Sequence, residues 1–113
     1  MNGYLNMILC NTETLPGKTI IEQLGLVQGS TVRAKHLGRD IMAGLKNIVG
    51  GELVGYTELL EDARKEATAR MIEDAKAKGA NAIVNVRFST TSVTQGAAEL
   101  FAYGTAVRTQ EDY

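Results

Sequence analysis

The chain has 113 residues, of which 12 are Lys or Arg and 13 are Asp or Glu. This length fits one domain with its own core, and we expect residues 1–113 to form a single domain. A net charge of -1 without a basic run argues against nucleic acid and anionic membranes as partners. No apolar run approaches the ~20 residues of a membrane span, and the N-terminus lacks the features of a secretory signal, so we expect a cytoplasmic protein.

The beginning of the chain predicts a strand, a helix and a second strand. Residues 7–12 are a short run of apolar and strand-compatible residues and predict the first strand, with Cys10 inside it. Residues 18–24 follow a Pro-Gly pair and predict two turns of helix that end at Gly25. The inward-facing residues of that helix would be Ile20, Ile21 and Leu24. Residues 26–35 favour a strand, in which Gly29 suggests a bulge or a bend.

Two helices are predicted in the middle of the chain. The first covers residues 41–49, with Asp40 as its N-cap. The second covers residues 57–79, with Thr57 as its N-cap and Gly79 as the left-handed residue that ends it. Small and apolar residues recur along the second helix at steps of three and four, namely Leu59, Leu60, Ala63, Ala67, Met71 and Ala75. This stripe requires a cover, and a sheet is the simplest one.

The end of the chain predicts a hairpin. Residues 82–89 alternate as in a strand, with Ala82, Val84, Val86 and Phe88 on one face and Ile83, Asn85 and Arg87 on the other. Residues 90–96 suit a loop, and residues 97–108 form the last strand. Neither face of this last strand is plainly polar, so both faces need a cover, and a second subunit would supply it. The elements together predict an α+β fold of two layers, in the order β-α-β-α-α-β-β.

Cys10 and His36 are the only soft or borderline metal ligands apart from the methionines. A zinc or copper site needs three or four ligands, so these two residues could bind metal only if a ring gathered a copy from each subunit. The alternative is a buried strand cysteine and a loop histidine. Nothing in the sequence places the single histidine near a nucleophile, and no glycine pattern of a nucleotide site is present, so we predict no catalytic residues, no metal site within one subunit and no cofactor.

Several polar residues are candidates for an intersubunit site. Glu99 and Tyr103 lie on the same face of the last strand and could meet a ligand, or Arg64 or Arg87 of a neighbour, and Tyr56 is a further candidate. Packing at an interface is the alternative. Arg64, Arg70 and Asp74 border the apolar stripe of the long helix, either as exposed side chains with buried stems or as members of an ion pair.

Short motifs along almost the whole chain resemble the YbjQ-type family of putative heavy-metal-binding proteins of unknown function. The matching stretches are residues 13–17, 24–29, 40–47, 50–53, 79–83, 86–89 and 102–107. The resemblance implies a dodecin-like α+β subunit that assembles into a ring, a pentamer. Soft-metal domains with a similar opening carry two cysteines before the first helix, whereas residues 13–16 here contain none.

We therefore expect a non-enzymatic homo-oligomer with a pocket or pore for a small ligand between its subunits. The alternative is a metal-binding or metal-buffering protein whose ligands, Cys10 and His36, are shared between subunits.

Overall fold

A computed structural model describes residues 7–33, 54–94 and 97–112. Its elements, in chain order, are β1 (Ile8–Leu9), β2 (Lys18–Arg33), α1 (Val54–Ala77), β3 (Ala82–Thr94) and β4 (Ala97–Glu111). The four strands form one sheet in the order β1-β3-β4-β2, in which β1 runs parallel to β3 and the other pairs are antiparallel. The predicted α+β class is confirmed. The predicted helix at 41–49, its cap Asp40 and His36 lie outside the described residues.

The helix predicted at 18–24 is wrong, because this segment is the first half of β2. Two bulges explain the error. Ile21 and Leu24 are extra residues in the pairing of β2 with β4, so the apolar residues lose the two-residue alternation of a regular strand. The remaining pattern imitates helical spacing. Gly25 has a φ of 102° and belongs to the second bulge rather than to a helix end.

Gly29 does not produce the predicted bulge. It lies directly beneath α1, where a Cβ atom would stand 2.3 Å from the carbonyl oxygen of Ala67 and 2.4 Å from the amide nitrogen of Met71. The glycine therefore allows the helix to approach β2 closely.

The long helix is confirmed, with a different start. It begins at Val54, so Thr57 lies inside the first turns and is not the N-cap. Its end is as predicted: Gly79 has a φ of 82°, its N–H donates to Lys76 O, and Ala80 N–H donates to Ala75 O. This pair of bonds satisfies the last carbonyls of the helix. The inward side chains Ala63, Ala67, Met71 and Ala75 are at most 1% exposed.

Strand β3 contains a bulge that the sequence pattern does not reveal. Asn85 has a φ of 55°, and the pairing with β4 shifts by one residue between Val84 and Arg87. The predicted faces are therefore correct up to the bulge, with Ala82 and Val84 opposite Ile83, and wrong beyond it. Val84 packs on the side of the sheet away from α1, whereas Phe88, beyond the bulge, lies beside α1.

The predicted loop at 90–96 is too long, because β3 continues to Thr94 and β4 begins at Ala97. The Ser, Thr and Val residues of 89–94 suit a strand, and pairing with β4 decides their conformation.

The chain has one main core and one small core. The main core lies between α1 and the sheet and includes Val27, Met71 and Ala102. The small core lies on the opposite face at one end of the sheet, where Leu15 covers Ala82, Val84 and Val107. Partly buried Ile8, Cys10 and Ile20 complete it. Within the described residues, no helix is both long and apolar enough to cross a membrane.

Candidate functional site

The half of the sheet that Leu15 does not cover carries large exposed side chains on the face opposite α1. We call this surface the outer face and define it by Leu26, Gln28, Val32, Phe101 and Tyr103. Tyr103 pairs with Gln28, and Leu26 and Val32 follow at alternate positions along β2. Leu26 is 78% exposed and Val32 is 55% exposed. The rings of Phe101 and Tyr103 lie 5.5 Å apart at 34°.

The polar candidates of the last strand fall on this surface. Glu99 and Tyr103 occupy alternate positions of β4 and share the outer face, as the sequence predicts. Arg87 is the cross-strand neighbour of Tyr103. Its guanidinium donates to Asn11 O at 2.9 Å and to Val86 O at 3.1 Å, so it links the N-terminal segment to β3 within the chain. The side chain of Tyr56 lies outside the described residues.

A cavity of about 390 Å³ lies at the junction of the outer face with the free edge of β2. Leu26, Gln28, Phe101 and Tyr103 line it on the strand side, and Asp74 reaches it from α1. The cavity thus combines aromatic and aliphatic walls with one amide and one carboxylate.

The carboxylate of Asp74 is held by two donors. Lys78 Nζ donates to Asp74 Oδ1 at 2.9 Å, and the backbone N–H of Gln28 donates to Asp74 Oδ2 at 3.2 Å. The hydrogen bond from Lys78 lowers the pKa of Asp74 most, burial opposes this effect, and the Gln28 N–H adds to the lowering. The cavity therefore carries an ionised carboxylate at neutral pH.

The sequence leaves open whether Arg70 and Asp74 are exposed side chains or members of ion pairs, and in the structure both form ion pairs. Arg70 donates to Ser30 O of β2 and pairs with Glu66 at 2.5 Å. Arg70 and Asp74 therefore both contact the outer edge of β2 within one chain. Arg64 instead lines a groove between α1 and β3, and it has no ion pair among the described residues.

Cys10 lies where the chain leaves β1. It is partly buried against the small core, and its thiol donates to Thr12 O at 3.4 Å. In the part of the chain that the structure describes, no three His, Cys, Asp or Glu residues are grouped so that they could hold a metal ion.

The sequence interpretation missed Leu26, Gln28 and Phe88 as surface-forming residues. A signal was available for the first two, because Leu26, Gln28, Ser30 and Val32 alternate regularly once the bulges of β2 are passed. Phe88 had no such signal, since the bulge at Asn85 changes the face on which it lies.

Comparison with known proteins places the chain in a family. A model of the YbjQ family, described as "Putative heavy-metal-binding", matches residues 7–110. The chain belongs to the YbjQ family. A relative from Hahella chejuensis is 72% identical over 101 residues, which cover 89% of this chain and 97% of that protein. A relative from Archaeoglobus fulgidus is 63% identical over 102 residues, which cover 90% and 94%. Both carry the name UPF0145 protein.

A solved structure shares the fold of this YbjQ-family chain. It is a protein of unknown function from Pediococcus pentosaceus that belongs to the DUF74 family. The TM-score is 0.60 at 14% identity, and the match covers 92% of this chain and 98% of that one. At this identity the likeness establishes the fold alone.

Proposed function

We propose that this YbjQ-family protein is a non-enzymatic, cytoplasmic homo-oligomer, a pentameric ring of dodecin-like subunits that holds a small ligand between neighbours. The observation that carries the proposal is the uncovered outer face, with Leu26 78% exposed beside two partly exposed aromatic rings. The ring and its size come from the family resemblance, and the outer face supplies the surface that a ring would bury.

The outer face has the character of an interface core. Contiguous exposed apolar side chains on a small protein mark places where another molecule binds, and aromatic residues are enriched where subunits meet. Among the described residues, α1 is the only helix, and it covers the opposite face of the sheet. A second copy of the chain would cover the outer face.

The cavity beside Tyr103 supports the ligand part of the proposal. Its volume of about 390 Å³ lies within the ~300 to 1,000 Å³ of small-molecule sites. Phe101 and Tyr103 offer ring faces to a planar or apolar group, and Gln28 offers an amide. The ionised Asp74 disfavours an anion there, so we expect a neutral or cationic ligand.

Native mass spectrometry of the untagged, full-length protein purified without added metal tests this proposal. We expect a pentamer that carries one small-molecule mass per pocket. Leu26→Arg should shift the pentamer to monomer without loss of secondary structure, because the side chain is exposed in the subunit. Ile21→Arg is the matched control, since Ile21 is also on β2 and 52% exposed but lies outside the outer face. A wild-type monomer at micromolar concentration would overturn the proposal.

A second candidate is metal binding with ligands shared between subunits, which the family description favours. Because the described ranges of one subunit hold no group of three candidate ligands, the ring would have to bring together copies of Cys10 and His36. Wild-type protein should then take up zinc or copper in a fixed ratio in native mass spectra. Unchanged uptake by the Cys10→Ala, His36→Ala double variant would eliminate this candidate.

A further inference from the structure

The cavity beside the outer face combines two aromatic rings with a single charge. Of the described residues that line it, Asp74 is the only one with a charged side chain. Phe101 and Tyr103 line it from β4, and their rings lie 5.5 Å apart at 34°. Leu26 and Gln28 line it from β2. A bound molecule would therefore meet one carboxylate, two rings and an aliphatic side chain.

The carboxylate of Asp74 retains acceptor capacity. Each of its oxygens accepts one hydrogen bond, Oδ1 from Lys78 Nζ and Oδ2 from the Gln28 N–H. An ionised carboxylate offers about four lone-pair sites, so about half of them remain open. Because the two bonds also hold the side chain in place, a ligand does not have to order it on binding.

The positive side chains near Asp74 are engaged outside the cavity. Arg70 pairs with Glu66. Arg87 belongs to β3, on the other side of β4 from β2, and its guanidinium donates to backbone oxygens. Lys78 binds Asp74 without lining the cavity, and its side chain is 38% exposed, so that solvent screens its charge. Within the described residues, no cation of the chain itself therefore occupies the space beside the rings.

The rings and the carboxylate favour the same charge on a ligand. The face of an aromatic ring is the negative part of its quadrupole, and it attracts a cation that lies within about 6 Å of the ring centroid. The carboxylate attracts the same cation, whereas a neutral molecule of equal shape gains neither attraction. A primary ammonium group is strongly hydrated and loses that hydration on entering. Methyl groups on the nitrogen reduce this loss and bring apolar surface into contact with the rings.

We propose that the cavity binds a small quaternary ammonium compound, whose methyl groups contact Phe101 and Tyr103 and whose charge faces Asp74. This inference rests on the proposed function and names the class of its ligand. The volume of about 390 Å³ leaves room for a short tail beyond the methylated head group. A carboxylate or phosphate on that tail would lie close to Asp74 and be repelled, so we expect the tail to be neutral, as in an amino alcohol.

Isothermal titration calorimetry with a matched pair of probes tests the inference. Choline is one probe, and the other is its uncharged analogue, in which a carbon atom replaces the nitrogen. The full-length, untagged protein is first dialysed to remove bound small molecules. We expect choline to bind at least about tenfold more tightly than the analogue, because the two molecules share one shape and differ in charge. Equal affinities for the two probes would overturn the inference.

Substitutions locate the preference for choline in this cavity. Asp74→Asn and Tyr103→Leu should each reduce the ratio of the two affinities at least about threefold. Tyr103→Phe keeps the ring and should keep the ratio. Asp62→Asn and Phe88→Leu are the matched controls, since they change an exposed carboxylate and an exposed aromatic ring that do not line the cavity. A ratio that survives both Asp74→Asn and Tyr103→Leu would overturn the inference.

Native mass spectrometry of the same samples separates this inference from the proposed assembly. A pentamer that carries a small molecule but binds both probes equally would show that the ligand class is wrong, while the proposed function stands. A monomer that prefers choline, with a preference that depends on Asp74 and Tyr103, would support the ligand class and overturn the proposed ring.

Discussion

The two faces of the sheet differ in the size and the exposure of their side chains. On the face beneath α1 the residues are small, with Gly29, Ala102 and Ala106 facing helix alanines, and they are closed off within one subunit. On the outer face the residues are large: Leu26 is 78% exposed, Tyr103 is 37% exposed and Phe101 is partly exposed. Small side chains let backbones approach and bury themselves, whereas large exposed side chains contribute stability only when another surface covers them.

The comparison separates the face that stabilises the folded chain from the face on which the proposed assembly depends. Substitutions on the inner face should change the free energy of unfolding of the subunit. Substitutions on the outer face should change assembly and leave the subunit intact.

Gly29→Val should produce the largest effect, because the new side chain must displace the backbone of α1. A Cβ at this position would be 2.3 Å from Ala67 O, which cannot move away like the end of a flexible side chain. We expect a loss of about 3 to 4 kcal/mol in the free energy of unfolding. Urea denaturation measures this loss, with Gln28→Ala on the same strand as control. A loss below about 1 kcal/mol would show that α1 can move away from β2 at little cost.

A matched pair of alanine substitutions compares the two faces directly. Met71 is fully buried, so Met71→Ala should cost about 3 kcal/mol of subunit stability. Leu26 is 78% exposed, so Leu26→Ala should cost less than about 0.5 kcal/mol in dissociated subunits and should weaken assembly. Denaturation at several protein concentrations separates the two effects. Equal losses for the two variants at low concentration would contradict the division between the faces.

The parts of the fold that could be predicted are those in which small or apolar residues recur at a regular spacing without interruption. The long helix carries regular small residues and a glycine at its end, and the structure reproduces its packed face and its last turn. The last strand alternates without interruption from Leu100 to Val107, so its two apolar faces were visible in the sequence. This regularity is why Glu99 and Tyr103 could be assigned to one surface.

The errors in the helix predicted at 18–24 and in the faces of β3 arise where a bulge adds one residue to a strand. Ile21 and Leu24 turn an alternating pattern into an apparent helical one, and Asn85 moves Phe88 to the other face. A bulge is set by the partner strand, which a local pattern does not contain. The closure of the β2 edge by Arg70 and Asp74 is likewise a contact between distant segments, and sequence spacing could suggest only that these residues border the helix stripe.

Asn85→Ala should have a smaller effect and tests what keeps β3 residues on their faces. Asn85 has a φ of 55°, a conformation that asparagine tolerates better than alanine. We expect Asn85→Ala to lower the free energy of unfolding by about 1 kcal/mol and Asn85→Gly to leave it unchanged or raise it slightly. Thermal or urea unfolding of both variants measures this difference. Equal stability of the two would mean that the backbone conformation at the bulge contributes no strain.

The smallest expected effect concerns Asp74, which joins α1 to the outer edge of β2. Its pKa is lower in the folded protein than in the unfolded chain, chiefly because Lys78 donates to it. The stabilisation is therefore fully present above about pH 4 and is lost as the pH falls through the lower, folded pKa. Since the side chain is about 35% exposed, Asp74→Asn should cost only about 0.5 kcal/mol at pH 7. The deficit should shrink when urea denaturation is repeated near pH 3, and Asp62→Asn, which replaces an exposed carboxylate elsewhere on α1, is the control. A deficit for Asp74→Asn that is the same at both pH values would mean that the ionised carboxylate does not hold the edge of β2, and that the contact of α1 with this edge depends on Arg70 alone.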